Sequence, residues 1–413
     1  LVDLTSVGRS HSFQLAEALD ELGLLRYFHT GVVVPNEDSR VLDRLAAALP
    51  GADQQRLAKR RSPLPASRVR PVPSAELFEQ GGRRLFRRFN HRPWNYAASV
   101  YFDAVVAARV RRNPPRIVHA FEHSALYTLR AARKAGAITV LEQPIIHIDT
   151  YLALEEQVRA RTNNARLRRA PGWRAHIERK RKEYALADYC IVGLPTARDT
   201  MIAGGFTADR IFVTPYGVPR GWNSNADAQP RTNHDPLRVL FVGHVDFYKG
   251  LDVVLDAFDQ LPPGFELTIL GVVEEAWADY FMRRIKRMPR VSYRTPVPSS
   301  EMPAIYASHD VLAFPSLVGG IGFAVFEAIA SGLVAVLPTD EGILTDGTDC
   351  VVASLDDPAS WANALVELRD DPARFKQLSA NGIARSRDLA RDSYLDAVRC
   401  AYDEIARREG LEK

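Results

Sequence analysis

The chain has 413 residues, 46% hydrophobic and 25% charged, and at about 150 residues per domain this length predicts two to three domains of a globular protein. No run of about 18 uncharged apolar residues occurs and no basic-then-apolar leader opens the sequence, so neither a membrane span nor a signal peptide is expected. The net charge of +4 is uneven: residues 1–200 hold 33 Lys+Arg against 20 Asp+Glu, and residues 201–413 hold 21 against 30. Such a contrast suits two chemically distinct domains. Three widely spaced cysteines, Cys190, Cys350 and Cys400, give neither a disulfide framework nor a zinc pattern and fit a reducing, cytoplasmic setting.

In chain order, periodicity predicts strands at 1–5, 27–34, 117–121, 138–143, 189–194 and 211–215, with helices at about 11–22, 124–135 and 178–186. Ser10 reads as the N-cap of the first helix. The stretch GWNSNADAQPRTNHD, residues 221–235, lacks periodicity and reads as a linker. Beyond it, strands at 237–243, 265–271, 291–294, 311–316, 334–338 and 350–354 alternate with amphipathic segments, and a last helix begins after residue 388. Short strands alternating with helices predict an α/β protein with parallel sheets, because parallel neighbours need crossover connections. The expected division is 1–220 and 237–387 as Rossmann-like domains, 221–236 as linker and 388–413 as terminal helix.

In a doubly wound sheet of order 3-2-1-4-5-6, ligands bind beyond the carboxyl ends of strands 1 and 4. In the second half these ends lead into the loops 244–249 and 317–321. Lys249 stands at a helix start, where the macrodipole disfavours a cation by about 0.3–1 kcal/mol unless an anion is near. A lysine beside exposed helix N–H groups is a diphosphate receptor; a solvated lysine beside a glycine turn is the alternative. Gly319, Gly320 and Gly322 leave the backbone free to approach a ligand, or form a tight turn. Glu327 sits among Phe326, Ala328 and Ile329, where a carboxylate is costly unless partnered. Two vicinal ribose hydroxyls or a nearby base would serve.

The segments VLFVGHVDFYKGLDVVLDAF, IYASHDVLAFPS, GGIGFAVFEAIASGLVAV and DGTDCVVASLDDPASWANAL resemble the carboxyl-terminal domain of the family 4 glycosyltransferases. EYALADYCIVGLPTARDTMIAGGFTADRIFVTPYGV resembles the end of that family's amino-terminal domain. The matches cover most of residues 178–385 in order and spacing, while the first 170 residues match loosely. The resemblance implies the GT-B fold, two Rossmann-like domains facing across a cleft with a terminal helix that crosses back to the first. It also implies transfer of a sugar from a nucleotide diphosphate donor, with retention of configuration and no bound metal or other cofactor. By position, Lys249 would hold the diphosphate, Glu327 the ribose, and the backbone around Gly320, Ile321, Gly322, Phe323 and Ala324 the phosphate and sugar. The base would lie near Gly271, Thr295 and Val297, and Gly8 belongs to a first loop that approaches the diphosphate. Two positions depart from the family: His244 stands where a Gly-Arg pair is common, and Gly319 where a carboxylate contacts the donor hexose.

The first domain supplies the acceptor site in this fold. Glu142 and His147, in or just after the strand 138–143, are its candidate base-like residues, with ordinary loop polarity as the alternative. The basic segments 56–92 and 159–182, with 11 and 10 Lys+Arg and aromatic residues in or beside them, suit the anionic inner face of a membrane and a glycan or lipid-linked acceptor; a solvated basic face is the alternative. Nucleic acid is not expected, because no reader motif accompanies the charge. A nucleotide-sugar epimerase or hydrolase and a non-catalytic binding subunit remain alternatives on the same scaffold.

Overall fold

The computed structural model describes residues 1–8, 11–35, 61–76, 78, 92–162, 173–218, 222, 229–274, 277–317 and 321–411. Strand β1 (Val2–Ser6) is buried at all five positions, as a strand covered on both faces must be. It is followed by α1 (Ser12–Glu21), β2 (Leu25–Thr30), a separate parallel pair β3 (Val34–Pro35) and β4 (Arg61–Ser62), and β5 (Val69–Pro71). Then come α2 (Arg92–Arg112), β6 (Ile117–Phe121), α3 (Leu126–Lys134), β7 (Ile138–Gln143), α4 (Ile148–Thr162), α5 (Trp173–Tyr184), β8 (Tyr189–Val192), α6 (Pro195–Ala203) and β9 (Ile211–Val213). Seven strands form one parallel sheet in the order β5-β2-β1-β6-β7-β8-β9. Its switch point lies between β1 and β6. The long helix α2, absent from the periodicity reading, places Phe102, Val106, Ala107 and Val110 in one apolar cluster with Leu129 and Ala132 of α3.

The second sheet is built from β10 (Leu237–Val242), α7 (Leu251–Gln260), β11 (Phe265–Leu270), α8 (Ala278–Ile285), β12 (Val291–Arg294), α9 (Met302–Ala307), β13 (Val311–Ala313), α10 (Phe323–Ala330), β14 (Val334–Leu337) and β15 (Cys350–Val352). Its parallel order, β12-β11-β10-β13-β14-β15, is the expected 3-2-1-4-5-6. β13 is shorter than expected. Phe314 still donates to the Val336 carbonyl (3.0 Å), but Pro315 has no N–H to continue the ladder.

Of the expected linker, residues 221 and 223–228 lie outside the described residues. Its later part is tied to the second sheet's side of the molecule: Arg231 Nη1 donates to the carbonyls of Tyr306, Ala307 and His309 at 3.1, 3.0 and 2.8 Å. Asn233 Nδ2 donates to the Leu368 and Arg369 carbonyls, and His234 pairs with Asp310.

After α11 (Pro358–Asp370) and α12 (Pro372–Asp388), the chain returns as α13 (Arg391–Arg408). Its Tyr394, Leu395, Val398, Ala401, Tyr402 and Ile405 share a core with Val2, Leu4, Leu15 and Leu19. The return runs beside the outgoing connection, where Val218 N–H bonds to the Leu389 carbonyl (2.9 Å). Gly217 adopts φ +67° there, and a Cβ would strike that same carbonyl. The halves also meet where Thr196 bonds to Glu341 and where the Tyr248 hydroxyl donates to Glu155 Oε1 (3.0 Å). Among the described residues, no helix is long and apolar enough to cross a membrane.

Candidate active site

The loops leaving β10 and β13 are packed on one another. Leu317 N–H bonds to the Tyr248 carbonyl at 3.0 Å, and Lys249 Nζ donates to Ser316 Oγ at 3.2 Å. Gly250, the residue before α7, has φ +66°, and a Cβ on it would collide with the Pro315 carbonyl. Only glycine meets both demands, so the turn that aims Lys249 into the crevice is fixed by sequence. The ammonium lies 5.6 Å from the Phe314 ring centroid. Burial pulls Lys249 below the ordinary lysine range, and Asp246 only partly opposes this.

Across the crevice, Gly322 precedes α10 and supplies no side-chain cap; Val325 N–H bonds the Gly322 carbonyl at 3.0 Å, and Phe323 and Ala324, beside Ile321, carry the first N–H groups of the helix. Glu327 accepts from the Tyr306 hydroxyl at 2.9 Å on Oε2, so a phenol rather than a base partners it. Burial lifts its carboxyl to about 7, although the Tyr306 bond lowers it. Gly271 is held where the loops after β10 and β11 touch, since a Cβ would meet the Gly243 carbonyl. The Tyr293 hydroxyl donates to the Gly271 carbonyl (3.0 Å). Thr295 is exposed and Val297 half-buried just past β12, and His244 is exposed. Gly319 and Gly320 lie outside the described residues.

On the first domain, the Gly8 carbonyl accepts from Ser6 Oγ (3.1 Å) and Ser12 Oγ (3.2 Å). Ser10, the expected cap, lies outside the described residues, and His11 occupies the N-cap position.

Glu142 and His147 are not brought together, and neither is presented as a base. Glu142, 1% exposed, accepts from His11 Nε2 (2.9 Å) and His119 Nε2 (3.0 Å). Because the carboxylate only accepts, the Tyr402 hydroxyl of α13 donates to His119 Nδ1 (2.7 Å). Burial pushes Glu142 up, but the two histidine bonds more than offset it and hold the carboxyl at about 2. It is a pin between the first loop, the sheet and the terminal helix. His147 is 4% exposed, its Nδ1 accepts from Asp149 N–H (3.2 Å), and its ring packs on Tyr184 and against Gly204.

A carboxylate held from 4.5 down to about 2 adds roughly 3 kcal/mol of stability that is present above pH 4.5 and lost as pH falls towards 2. Glu142→Gln is therefore expected to cost about that much in urea melts at pH 7, with the deficit roughly halved near pH 3. A large loss of turnover without loss of stability would instead return Glu142 to catalysis.

Residues 236–371 match the family model for glycosyl transferases group 1. The chain is 30% identical over 234 residues to the D-inositol 3-phosphate glycosyltransferase of Xylanimonas cellulosilytica, covering 51% of this chain and 55% of that protein. It is 26% identical over 233 residues to the enzyme of that name from Paenarthrobacter aurescens, covering 50% and 57%. It thus spans about half the length of the curated relatives it matches. Among solved structures, HepE of Anabaena in complex with UDP and glucose superposes with a TM-score of 0.64 at 14% identity over 98% of this chain and 99% of that one. Sucrose-phosphate synthase from Thermosynechococcus elongatus gives 0.63 at 16% identity over 98% of each. Residues 236–371 thus resemble the glycosyl transferases group 1 domain, and the chain as a whole shares its two-domain fold with these glycosyltransferase structures.

At the carboxyl ends of the second sheet's strands and in the loops that leave them lie Lys249, Gly271, Ile321, Gly322, Phe323, Ala324 and Glu327. The mouth of the first sheet holds a cluster that sequence reasoning missed. Glu122, just past β6, pairs with Lys180 Nζ of α5 (2.8 Å), both at most 2% exposed, and lies 3.3 Å from His123 Nε2. Glu183 accepts the N–H groups of His123, Ala125 and Leu126 at 2.9, 3.1 and 3.1 Å, capping α3, and burial lifts it to about 8. Arg179 pairs with Asp103. The switch-point rule that found Lys249 finds Glu122 and His123 too, once applied to the first sheet. In the two basic segments, 56–60, 77, 79–91 and 163–172 lie outside the described residues.

Proposed function

We propose that this chain transfers a hexose from a nucleotide diphosphate sugar to a hydroxyl of a glycan or lipid-linked acceptor, with retention of configuration and without a bound metal. The observation that carries the reading is the joined mouth of β10 and β13, where Lys249 bonds to Ser316 and the uncapped start of α10 opens alongside. A diphosphate arriving there meets a half-buried cation and backbone N–H groups, which together stabilise it as a leaving group. Glu327 Oε1 is then the acceptor for a ribose hydroxyl, with Oε2 shared with Tyr306.

In the reaction the acceptor oxygen bonds to the anomeric carbon on the face from which the diphosphate departs. The carbon–oxygen bond to the diphosphate breaks, and the acceptor proton passes to the departing phosphate oxygen. The substrate supplies its own base, a route consistent with the burial of Glu142 and His147. That HepE is described with UDP and glucose supports a uridine donor, and a relative named for inositol 3-phosphate supports a hydroxyl acceptor. The Arg-rich segments 56–92 and 159–182 support work at the anionic cytoplasmic face of a membrane, in cell-envelope glycan or glycolipid synthesis.

Thermal melts with UDP-, GDP-, ADP- and dTDP-sugars in EDTA test this. One donor at 100 times its Kd is expected to stabilise by about 2.7 kcal/mol, and NMR of the product is expected to show the donor's anomeric configuration. Stabilisation that requires added metal, or an inverted product, would overturn those parts of the reading. Turnover without acceptor would mark a hydrolase or epimerase, and no response to any donor a non-catalytic subunit.

A further inference from the structure

Tyr248, the residue before Lys249, is held from both domains. Its main chain is fixed within the second: the Tyr248 carbonyl accepts Leu317 N–H at 3.0 Å and Gly250 N–H bonds to the Phe247 carbonyl at 3.2 Å, while Lys249 N–H bonds to Asp246 Oδ1 at 2.7 Å. Its side chain is fixed by the first. The ring stacks on Tyr151 of α4, with centroids 6.3 Å apart and planes at 24°, and the hydroxyl donates to Glu155 Oε1, one helical turn further on, at 3.0 Å.

Glu155 is only 5% exposed, and a carboxylate at that depth is costly unless partnered. Arg159, on the next turn of α4, places Nη2 3.5 Å from the same oxygen, so the charge is balanced on its own helix and the hydrogen bond is made across the domain boundary. Burial and Glu155 push the Tyr248 phenol well above the usual tyrosine range, which keeps it a donor. Val158 lies buried in the apolar core of the second domain, with Val245 and Phe247. Tyr151, Glu155 and Val158 are spaced i, i+4, i+7 and so share one face of α4, and that face meets the turn 245–248. The turn has reason to need the hold. Burial disfavours the Lys249 charge where it stands, so a loosened turn relaxes by carrying the ammonium out to water, away from Ser316.

Resting on the reading of Lys249 as the cation that receives the diphosphate, we propose that Glu155, acting through Tyr248, is a positioning residue for the donor. The first domain holds the turn that aims Lys249, and the diphosphate site of the second domain is complete only with α4 in place.

Calorimetry with UDP and with uridine tests this, together with amide exchange of residues 244–251 in the ligand-free chain. Tyr248→Phe keeps the ring on Tyr151 and removes only the bond. It and Glu155→Leu are each expected to weaken UDP about tenfold and to leave uridine within about twofold, while Glu155→Gln, which keeps an oxygen for the hydroxyl, binds both as the parent does. In a Lys249→Met background Glu155→Leu is expected to cost UDP nothing further, because a residue that acts through Lys249 has nothing left to position. Exchange in 244–251 is expected to run about tenfold faster in Tyr248→Phe and Glu155→Leu and at the parent's rate in Glu155→Gln. Parent-like UDP binding in both Tyr248→Phe and Glu155→Leu overturns the proposal, and so does a joint fall of UDP and uridine or an equal loss of UDP with and without Lys249. If the parent binds UDP no better than uridine, the donor reading falls and exchange decides alone: faster exchange in the two variants leaves the hold on the turn standing, and unchanged exchange refutes it.

Discussion

Lys249→Met is expected to lower kcat by about 100- to 1,000-fold, the usual effect of removing one preorganised group that stabilises developing negative charge, while leaving the fold intact. The stability half of this expectation comes from the lysine's environment. Burial depresses the Lys249 ammonium and Asp246 only partly opposes it, so at neutral pH the free protein holds the cation at a cost. A methionine of similar length removes that cost, and the variant is expected to melt no lower than the parent. The binding half comes from chemistry: a diphosphate compensates the desolvated cation, whereas a nucleoside does not. Calorimetry should therefore show UDP affinity falling steeply in the variant while uridine affinity stays put. Equal losses for UDP and uridine would mean that Lys249 shapes the nucleoside pocket rather than holding phosphate.

The second sheet was legible because its strands are buried on both faces and separated by turn chemistry, so short apolar runs such as 237–243 mark them without ambiguity. The main discrepancy, β13, arose where an apolar run continues past the hydrogen-bond ladder: Phe314 is still bonded, but Pro315 cannot donate. α2 was harder to read. Its sequence, RPWNYAASVYFDAVVAARVRR, spaces its apolar residues among alanines, and its Asp103 serves a helix start 24 residues on, bonding Tyr127 N–H at 2.7 Å.

Site residues divide the same way. Lys249 and the α10 turn were legible because local backbone demands, a left-handed Gly250 and an uncapped Gly322, declare themselves in the sequence. Glu142 was correctly set at the carboxyl end of a strand, but its role is decided by His11, 131 residues away, and His119, 23 away. Nothing local distinguishes a carboxylate pinned by two histidines from one offered to a substrate. Glu122, His123 and Lys180 form a unit only when α5 folds against the end of β6.

Glu327→Gln is expected to move stability and donor affinity in opposite directions. Burial lifts the carboxyl from 4.5 to about 7, so the folded protein binds this proton more tightly than the unfolded chain does. A group raised in this way stabilises the protein below pH 4.5; the advantage is lost as pH rises towards 7, leaving a deficit of order 3 kcal/mol above it. Glutamine cannot ionise and keeps an oxygen for the Tyr306 hydroxyl, so near pH 8 the variant is expected to be more stable by up to about 3 kcal/mol, several degrees in Tm. At pH 4, below both values, the two proteins should melt together. Donor binding runs the other way, because ribose hydroxyls bond best to the ionised carboxylate. The parent's affinity for UDP-glucose is expected to rise between pH 5.5 and 8 and the variant's to stay flat, with a loss of about tenfold or more at pH 8. Calorimetry and melts across that range check both. A variant that gains no stability at pH 8 would mean the carboxyl is already ionised cheaply. One that gains stability and still binds donor as the parent does would take Glu327 away from the ribose and leave it as the buried partner of Tyr306.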